Sequence, residues 1–158
     1  MVVSYESIEP HRLDAGMINE IRDVHGRAFA ASVVGTEYPA TEVAAALTAE
    51  ASEPGFRLCV ARRDTGQLAG FACGYIDFLQ RPASGWSKRL ADALGQKRYE
   101  WLDQQFGFAW FGVHPAFQGN GIGSALHDRL FAEVRCARAW LVCPAHETRL
   151  RAFYEHRG

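Results

Sequence analysis

The pattern of hydrophobic and polar positions predicts two helices at the start of the chain. Apolar residues three or four positions apart mark one face of an amphipathic helix within residues 11–31: Met17, Ile21, Val24 and Ala28. A second, shorter helix is predicted to begin near Thr41, because threonine often caps helix N-termini, with Val43 and Leu47 facing inward. No strand is predicted ahead of these helices.

A β-hairpin is predicted in the segment FRLCVARRDTGQLAGFACGY, from Phe56 to Tyr75. Its two apolar runs flank Asp64, Thr65 and Gly66, where aspartate starts turns and glycine accepts positive φ.

A helical insert is predicted within residues 77–105, between two strands. Trp86, Leu90 and Leu94 are four positions apart, and Gly95 follows them where a helix would end.

A parallel crossover is predicted after the insert. The aromatic, nearly uncharged run FGFAWFGV (residues 106–113) is typical of a strand buried on both faces in the middle of a sheet. A helix with apolar residues at helical spacing follows and ends near Ala137, and AWLVC (residues 139–143) predicts another buried strand. Strand, helix and strand with short links form a right-handed crossover. A last helix is predicted in ETRLRAFYEHRG, with Gly158 as its cap.

Composition limits the fold and the partners. The chain has 158 residues, 48% of them hydrophobic, which suits one domain of mixed α/β class across residues 1–158. The net charge of -1, with both signs interspersed, favours neither a nucleic acid nor a membrane surface as partner. Because Glu6 and Glu9 interrupt the N-terminus and no apolar run could span a bilayer, a soluble, cytoplasmic protein is expected.

The cysteines do not indicate a metal site. None of the four forms the close Cys-x-x-Cys pair of zinc and redox sites, so reduced, buried thiols and no metal are expected. Cys143 ends a predicted strand, and a reactive role in a cleft is the alternative for it.

Three alternating glycines, Gly119, Gly121 and Gly123, lie where the central strand passes into a helix. Backbone N–H groups at that point have no intrahelical partners, and the helix dipole places about half a positive charge there. Without Cβ atoms the chain can curl around an anion, so phosphate or pyrophosphate is a natural ligand. From the glycines alone, a turn that merely reverses the chain is equally open.

The spacing of these glycines carries a family resemblance. The dinucleotide motif G-x-G-x-x-G fails at Ser124, and no Gly-Lys-Ser/Thr of a Walker loop follows. The segment from Gln118 to Gly123 reads Q-x-x-G-x-G, after Val113-His114-Pro115 and before an apolar helix. It resembles the pyrophosphate-binding motif of the GNAT superfamily of acyl-CoA-dependent N-acyltransferases. The resemblance is specific from residue 106 onward and generic before it.

The resemblance implies a GNAT-type fold, in which helices flank a mixed sheet and two parallel strands splay apart to admit pantetheine. Acetyl-CoA is then the expected cosubstrate. The implied cofactor-binding groups are the backbone of the first splayed strand and the amides of the loop: Phe111, Gly112, Val113, Gln118, Gly119, Asn120, Gly121, Ile122, Gly123 and Ser124.

The end of the chain, AFYEHRG, resembles a later motif of that family. Tyr154 matches the position that often protonates the departing CoA thiolate. Glu147 stands where an asparagine is usual, and Leu150 where an alanine is usual. The family usually continues into one more strand, so an incomplete C-terminus is expected.

Acyl transfer to an amine also needs a base, because an alkylamine has a pKa of about 10.4. The central strand carries no carboxylate; Glu100 and Asp103, just upstream, are candidates that would act through water. His114 is an alternative by residue type, and some relatives use no protein base.

The predicted function is transfer of an acetyl group from acetyl-CoA to a primary amine of a small molecule or protein, by direct attack on the thioester. The alternatives are a catalytically weak CoA-binding regulatory or structural module, and a nucleotide-binding fold unrelated to acyl-CoA. The insert is expected to wall the acceptor pocket; simple packing or a homodimer interface are its other uses.

Overall fold

A computed structural model describes residues 2–32, 38–76 and 85–157. Within these ranges the strands are β1 (Val3–Ile8), β2 (Arg57–Arg63), β3 (Leu68–Ile76), β4 (Phe106–Val113) and β5 (Ala139–Trp140). The α-helices are α1 (Ala15–Ala28), α2 (Ala40–Glu50), α3 (Gly85–Leu94), α4 (Gln96–Glu100), α5 (Ile122–Ala132) and α6 (Thr148–Glu155). The mixed α/β class is confirmed.

The strands form one sheet in the order β1-β2-β3-β4-β5. The first three pairings are antiparallel and the pairing of β4 with β5 is parallel. The predicted hairpin is thus β2 and β3, and the predicted crossover runs from β4 through α5 to β5. Strand β4 lies inside the sheet, as its apolar sequence predicts.

Strand β1 contradicts the expectation that no strand precedes the helices. It pairs with β2 from Val3↔Arg63 to Ile8↔Leu58 and forms an edge of the sheet. Val3 and Tyr5 pack on one face of the sheet and Ile8 on the other, so this short edge strand has no sustained apolar alternation and its signal in the sequence is weak.

The two early helices are present with different ends. Helix α1 begins after Asp14, whose carboxylate accepts a hydrogen bond from the Met17 amide at 2.8 Å. Helix α2 buries Val43 and Leu47 as predicted, but Pro39 is its N-cap and Thr41 lies in its first turn, so the predicted cap is wrong.

Other ends also differ from the prediction. Helix α5 ends at Ala132, five residues before Ala137, and only Ala139 and Trp140 of the predicted strand 139–143 pair with β4. Helix α3 ends at Leu94 before Gly95, as predicted. The side chain of Trp86, residues 77–84 and the predicted cap Gly158 lie outside the described residues.

Helices cover both sides of the sheet. On the front face α1 packs on β3 and β4, and α2 packs on α1, around buried residues that include Ile21, Leu47 and Phe71. On the back face α5 packs on β2, β3 and β4 around Phe106 and Leu126. No helix in the described part of the chain is long and apolar enough to cross a membrane.

The cysteines are free thiols in the described structure. Cys59 and Cys73 are buried, while Cys136 and Cys143 are only partly buried. The predicted reduced state is therefore matched, and the predicted burial holds fully for two of the four.

Candidate functional site

Strand β4 carries a β-bulge that turns one side chain to the front face. Gly74 of β3 faces Phe108 and Cys73 faces Trp110, so Ala109 has no partner on β3. A bulge breaks the alternation of side chains along a strand and re-aims those that follow. Phe108 therefore packs in the back core, whereas Trp110 packs against the front core.

Strands β4 and β5 separate soon after they meet. Their parallel pairing comprises Phe106↔Ala139 and Gly107↔Trp140. From Phe108 to Val113 the β5 side of β4 has no strand partner among the described residues, so backbone groups at this edge are available to an extended ligand. This is the opening between parallel strands that the resemblance implied.

The glycine loop, residues 118–124, follows β4 and opens α5. Gly119 has φ 77° and Gly121 has φ 76°, a left-handed conformation that glycine adopts without strain. Gly121 is the N-cap of α5 and provides no side-chain cap, so the first amides of the helix are left without that partner. A Cβ at either glycine would meet no atom within 4 Å, so the space in front of the loop is open.

Polar side chains hold the glycine loop to the end of β4. The Gln118 amide donates to the carbonyl of Val113 at 3.0 Å, and the Asn120 amide donates to the carbonyls of Phe117 and Gln118, both at 3.1 Å. A Cβ at Gly123 would lie 3.1 Å from Cζ of Phe111. The third glycine therefore permits close packing of α5 on β4, and the first two shape the turn of the loop; their binding of an anion stays a prediction.

Tyr154 of α6 lies beside this opening. Its ring packs against Phe108 at 5.8 Å and Phe111 at 6.3 Å between centroids. Burial raises the pKa of the Tyr154 phenol, and the nearby Cys143 thiol adds to the rise. The phenol is therefore protonated at neutral pH and holds a proton close to the backbone of Phe111.

The other proposed catalytic residues lie at the end of the insert. The Glu100 side chain is exposed and accepts a hydrogen bond from Gln96 at 2.9 Å within α4. Asp103 is half-buried in the turn that follows. No measured contact joins either carboxylate to Tyr154, and their catalytic role stays a prediction.

His114 directly follows the last residue of β4. Its Nδ1 accepts a hydrogen bond from the Ala116 amide at 3.2 Å, and its ring packs on Phe117 at 5.0 Å. It also lines a cavity of about 270 Å³ beside Glu20 and Asp23 of α1. The short turn after β4 therefore supplies the hydrogen bond to the His114 ring.

Glu50 is a carboxylate that the sequence did not reveal. It is the last residue of α2, and its Oε2 accepts a hydrogen bond from the indole Nε1 of Trp110 at 2.8 Å. Burial raises its pKa from 4.5 to about 7, although the hydrogen bond from Trp110 opposes that rise. A glutamate at a helix end among alanines has no distinguishing pattern, so no local signal could have found it.

Aromatic rings surround the Trp110 indole on the front face. His25 of α1 lies edge-on to it at 5.9 Å, and Tyr38, just before α2, lies edge-on at 5.8 Å. His25 is 1% exposed, has no hydrogen-bond partner for either ring nitrogen, and packs on Phe29 at 4.8 Å. Burial lowers the pKa of His25 to about 4, so its ring is neutral at pH 7.

Glu147 links the two sides of the opening. It is the N-cap of α6, and its Oε1 accepts a hydrogen bond from the Ser32 hydroxyl at 2.6 Å, beyond the end of α1. The residue that replaces the usual asparagine is therefore tied to a segment from the opposite face of the sheet.

The profile of the Acetyltransferase (GNAT) family matches residues 18–158. A comparison with curated proteins finds no match. Within the described part of the chain no group of three or more His, Cys, Asp or Glu is placed to hold a metal ion.

Several solved structures share the fold at low identity. The aminoglycoside N-acetyltransferase AAC(6')-Iy, in complex with the bisubstrate analogue CoA-S-monomethyl-acetylneamine, has 13% identity and a TM-score of 0.62, covering 100% of this chain and 90% of that one. A protein of Pyrococcus horikoshii OT3 has 18% identity and a TM-score of 0.71, covering 98% and 88%. The ribosomal-protein-S18-alanine N-acetyltransferase of Escherichia coli has 17% identity and a TM-score of 0.62, covering 99% and 77%. The predicted architecture of a mixed sheet with splayed parallel strands is thus confirmed.

Proposed function

Because this chain belongs to the GNAT acetyltransferase family, we propose that it transfers an acetyl group from acetyl-CoA to a primary amine. The observation that carries the proposal is the open glycine loop at the N-terminus of α5, next to the unpaired edge of β4. Together they offer an anion site and an extended hydrogen-bonding edge, which suit the pyrophosphate and the pantetheine of one cosubstrate.

Different residues on and after β4 bind different parts of acetyl-CoA. The amides of residues 118–124 bind the pyrophosphate, and the backbone of Phe111–Val113 binds pantetheine and donates a hydrogen bond to the thioester carbonyl. Acetyl-CoA supplies a thioester, whose carbonyl carbon is open to attack by a neutral amine. Tyr154 donates its proton to the sulfur as the C–S bond breaks.

The proposal covers two classes of acceptor amine, those of small molecules and those of proteins. One similar structure holds an analogue of an acetylated aminoglycoside and another belongs to an enzyme named for a ribosomal protein alanine, so the fold serves small molecules and proteins. Both classes are primary amines, and both enter the proposal.

The loop is tested with a matched pair of glycine variants. Gly121→Glu puts a side chain and a negative charge into the anion site, and should abolish the rise in Tm that saturating acetyl-CoA gives the parent. That rise corresponds to about 2.7 kcal/mol when the ligand is at roughly 100 times its Kd. Gly66→Glu is the control, because Gly66 also has a positive φ, of 83°, and open space, and it lies in the β2–β3 turn outside the glycine loop.

The two variants share the cost of a left-handed residue, so their Tm values without ligand should fall by similar amounts. Binding of acetyl-CoA to Gly121→Glu as tight as to the parent would refute the loop assignment. If acetyl-CoA binds the parent but no amine in a broad panel is acetylated, the chain is a CoA-binding module instead.

A further inference from the structure

We propose that Glu50 takes the proton from the acceptor amine and that Trp110 positions its carboxylate at the central strand. This inference rests on the proposed acetyl transfer. It assigns the base to a residue of α2, in place of Glu100 and Asp103, and defines the acceptor as a cationic primary amine beside an apolar group.

The bulge of β4 turns the Trp110 side chain toward Glu50. Trp110 directly precedes Phe111, the first residue of the backbone that is proposed to bind pantetheine. Because Ala109 is unpaired, the Trp110 side chain points to the front face, where its indole Nε1 meets Glu50 Oε2 at 2.8 Å. The Trp110 indole therefore links the Glu50 carboxylate to β4, the strand at which the thioester would lie.

The charged Glu50 carboxylate lowers the stability of the fold at its position. A carboxylate in the last turn of a helix faces the negative end of the helix dipole, and burial removes its hydration. Among residues 2–32, 38–76 and 85–157, no lysine, arginine or histidine pairs with Glu50, and Trp110 is its hydrogen-bond donor. Such a group is most readily explained by a cation that arrives with the substrate.

The groups around Glu50 define the chemistry of that cation. Burial and the charge of Glu50 raise the pKa of the Cys73 thiol on β3. Glu53 lies three residues after Glu50 in the chain. Tyr38 and His25 flank the Trp110 ring. None of them is a cation at neutral pH, since His25 is neutral there. An ammonium group would pair with Glu50, and an adjoining apolar group would pack on the rings of Trp110 and Tyr38.

The acceptor ammonium loses two protons in the proposed reaction. The amine enters as an ammonium ion and gives one proton to the Glu50 carboxylate, which later releases it to solvent. The neutral amine attacks the carbonyl carbon, so that the C–N bond forms and the C–S bond breaks. Tyr154 protonates the sulfur, and the second N–H proton returns to Tyr154 through solvent. The products are the N-acetyl amine, free CoA thiol and one proton.

The test compares Glu50→Gln with Glu42→Gln, an exposed glutamate in the first turn of the same helix. With a panel of primary alkyl- and arylalkylamines, including 2-phenylethylamine, Glu50→Gln should lower kcat/KM at pH 7.5 by roughly 10²–10⁴-fold. Glu42→Gln should match the parent. Acetyl-CoA should raise the Tm of all three proteins equally, because the anion loop is untouched.

The pH profile separates a base from a structural residue. The kcat/KM of the parent should fall below pH 7 as Glu50 becomes protonated. Trp110→Phe removes a hydrogen bond to the charged carboxylate, so that limb should move to higher pH. In Glu50→Gln the limb at pH 7 should vanish, and the rate should rise about tenfold per pH unit toward the pKa of the free amine, about 10.4.

Unchanged kinetics and an unchanged acid limb in Glu50→Gln would overturn the assignment. So would an acid limb that stays in place in Trp110→Phe, or a parent that acetylates other primary amines but none that carries an adjoining apolar group. Failure of the parent to bind acetyl-CoA at all would instead refute the proposed function.

Discussion

At the scale of single residues, burial has the same effect on the pKa values of Glu50 and Tyr154, which have opposite roles in the proposed mechanism. Burial disfavours the charged form of both side chains and so raises both pKa values. For Glu50 the rise brings the pKa to about 7, where a carboxylate can accept a proton and release it again. For Tyr154, whose phenol is protonated at neutral pH even at its ordinary pKa of about 10, the rise leaves it a proton donor at the start of the reaction. Two titratable groups with separated pKa values are the usual mark of an acid and base pair.

Tyr154→Phe should lower kcat by roughly 10²–10⁴-fold while the Kd for acetyl-CoA stays within a factor of about two. The change removes one hydroxyl and leaves the ring on Phe108 and Phe111. Tyr5→Phe is the control, because Tyr5 lies on β1 at the opposite edge of the sheet. If the steady-state kinetics of Tyr154→Phe match those of the parent, Tyr154 has only a structural role against the back core.

At the scale of elements, the end of the insert is anchored by burial and by contacts with Arg138. Tyr99 of α4 is 9% exposed. The Arg138 guanidinium lies over the Trp101 ring at 4.1 Å, and Gln105 accepts a hydrogen bond from the Arg138 amide at 2.9 Å. These contacts tie the segment after α4 to the start of β5, at the point where β4 and β5 begin to separate.

Replacing residues 80–98 with a short Gly/Ser linker should keep this anchor and spare acetyl-CoA binding. Because the insert is expected to wall the acceptor pocket, turnover of the best amine should be lost. Thermal shift with acetyl-CoA and amine kinetics measure the two effects separately. If the amine kinetics persist while the oligomeric state changes, the insert is an interface and the acceptor binds elsewhere.

At the scale of the whole molecule, His25 and Glu50 give stability opposite dependences on pH. His25 has its pKa lowered from 6.5 to about 4, so the unfolded chain binds its proton more readily. Stability is therefore lost as the pH falls from 6.5 through 4. Glu50 has its pKa raised from 4.5 to about 7, so the native state binds its proton more readily. Stability is lost as the pH rises from 4.5 through 7.

Substitutions should remove these two penalties separately. Glu50→Gln should raise Tm at pH 8 and leave it nearly unchanged at pH 4.5, while His25→Phe should raise it at pH 4.5 and not at pH 8. A gain of 1 kcal/mol corresponds to roughly 2–4 °C for a domain of this size. Calorimetric Tm values across this pH range measure both effects. Equal shifts at both pH values would show that packing, and not protonation, is responsible.

The local sequence was sufficient for the features that depend on neighbours along the chain. The turn at Asp64–Gly66 predicted the β2–β3 hairpin, and apolar runs with helical spacing predicted the β4–α5–β5 crossover. Gly119 and Gly121 predicted the tight, open loop before α5, because left-handed backbone and missing Cβ atoms are properties of those residues themselves; anion binding by that loop stays a prediction. Strand β1 was missed because an edge strand has little apolar signal.

The contact between Trp110 and Glu50 follows from tertiary structure alone. The indole of Trp110 faces Glu50 only because Ala109 bulges out of the ladder with β3, and the two partners are 60 positions apart in the chain. Neither the bulge nor the contact has a local pattern. The pKa of a carboxylate depends on how much water the fold removes around it and on which donors reach it. Those quantities exist only once α2 has packed against the sheet, so the glycine loop could be read from local sequence, whereas the environment of Glu50 follows from the folded chain.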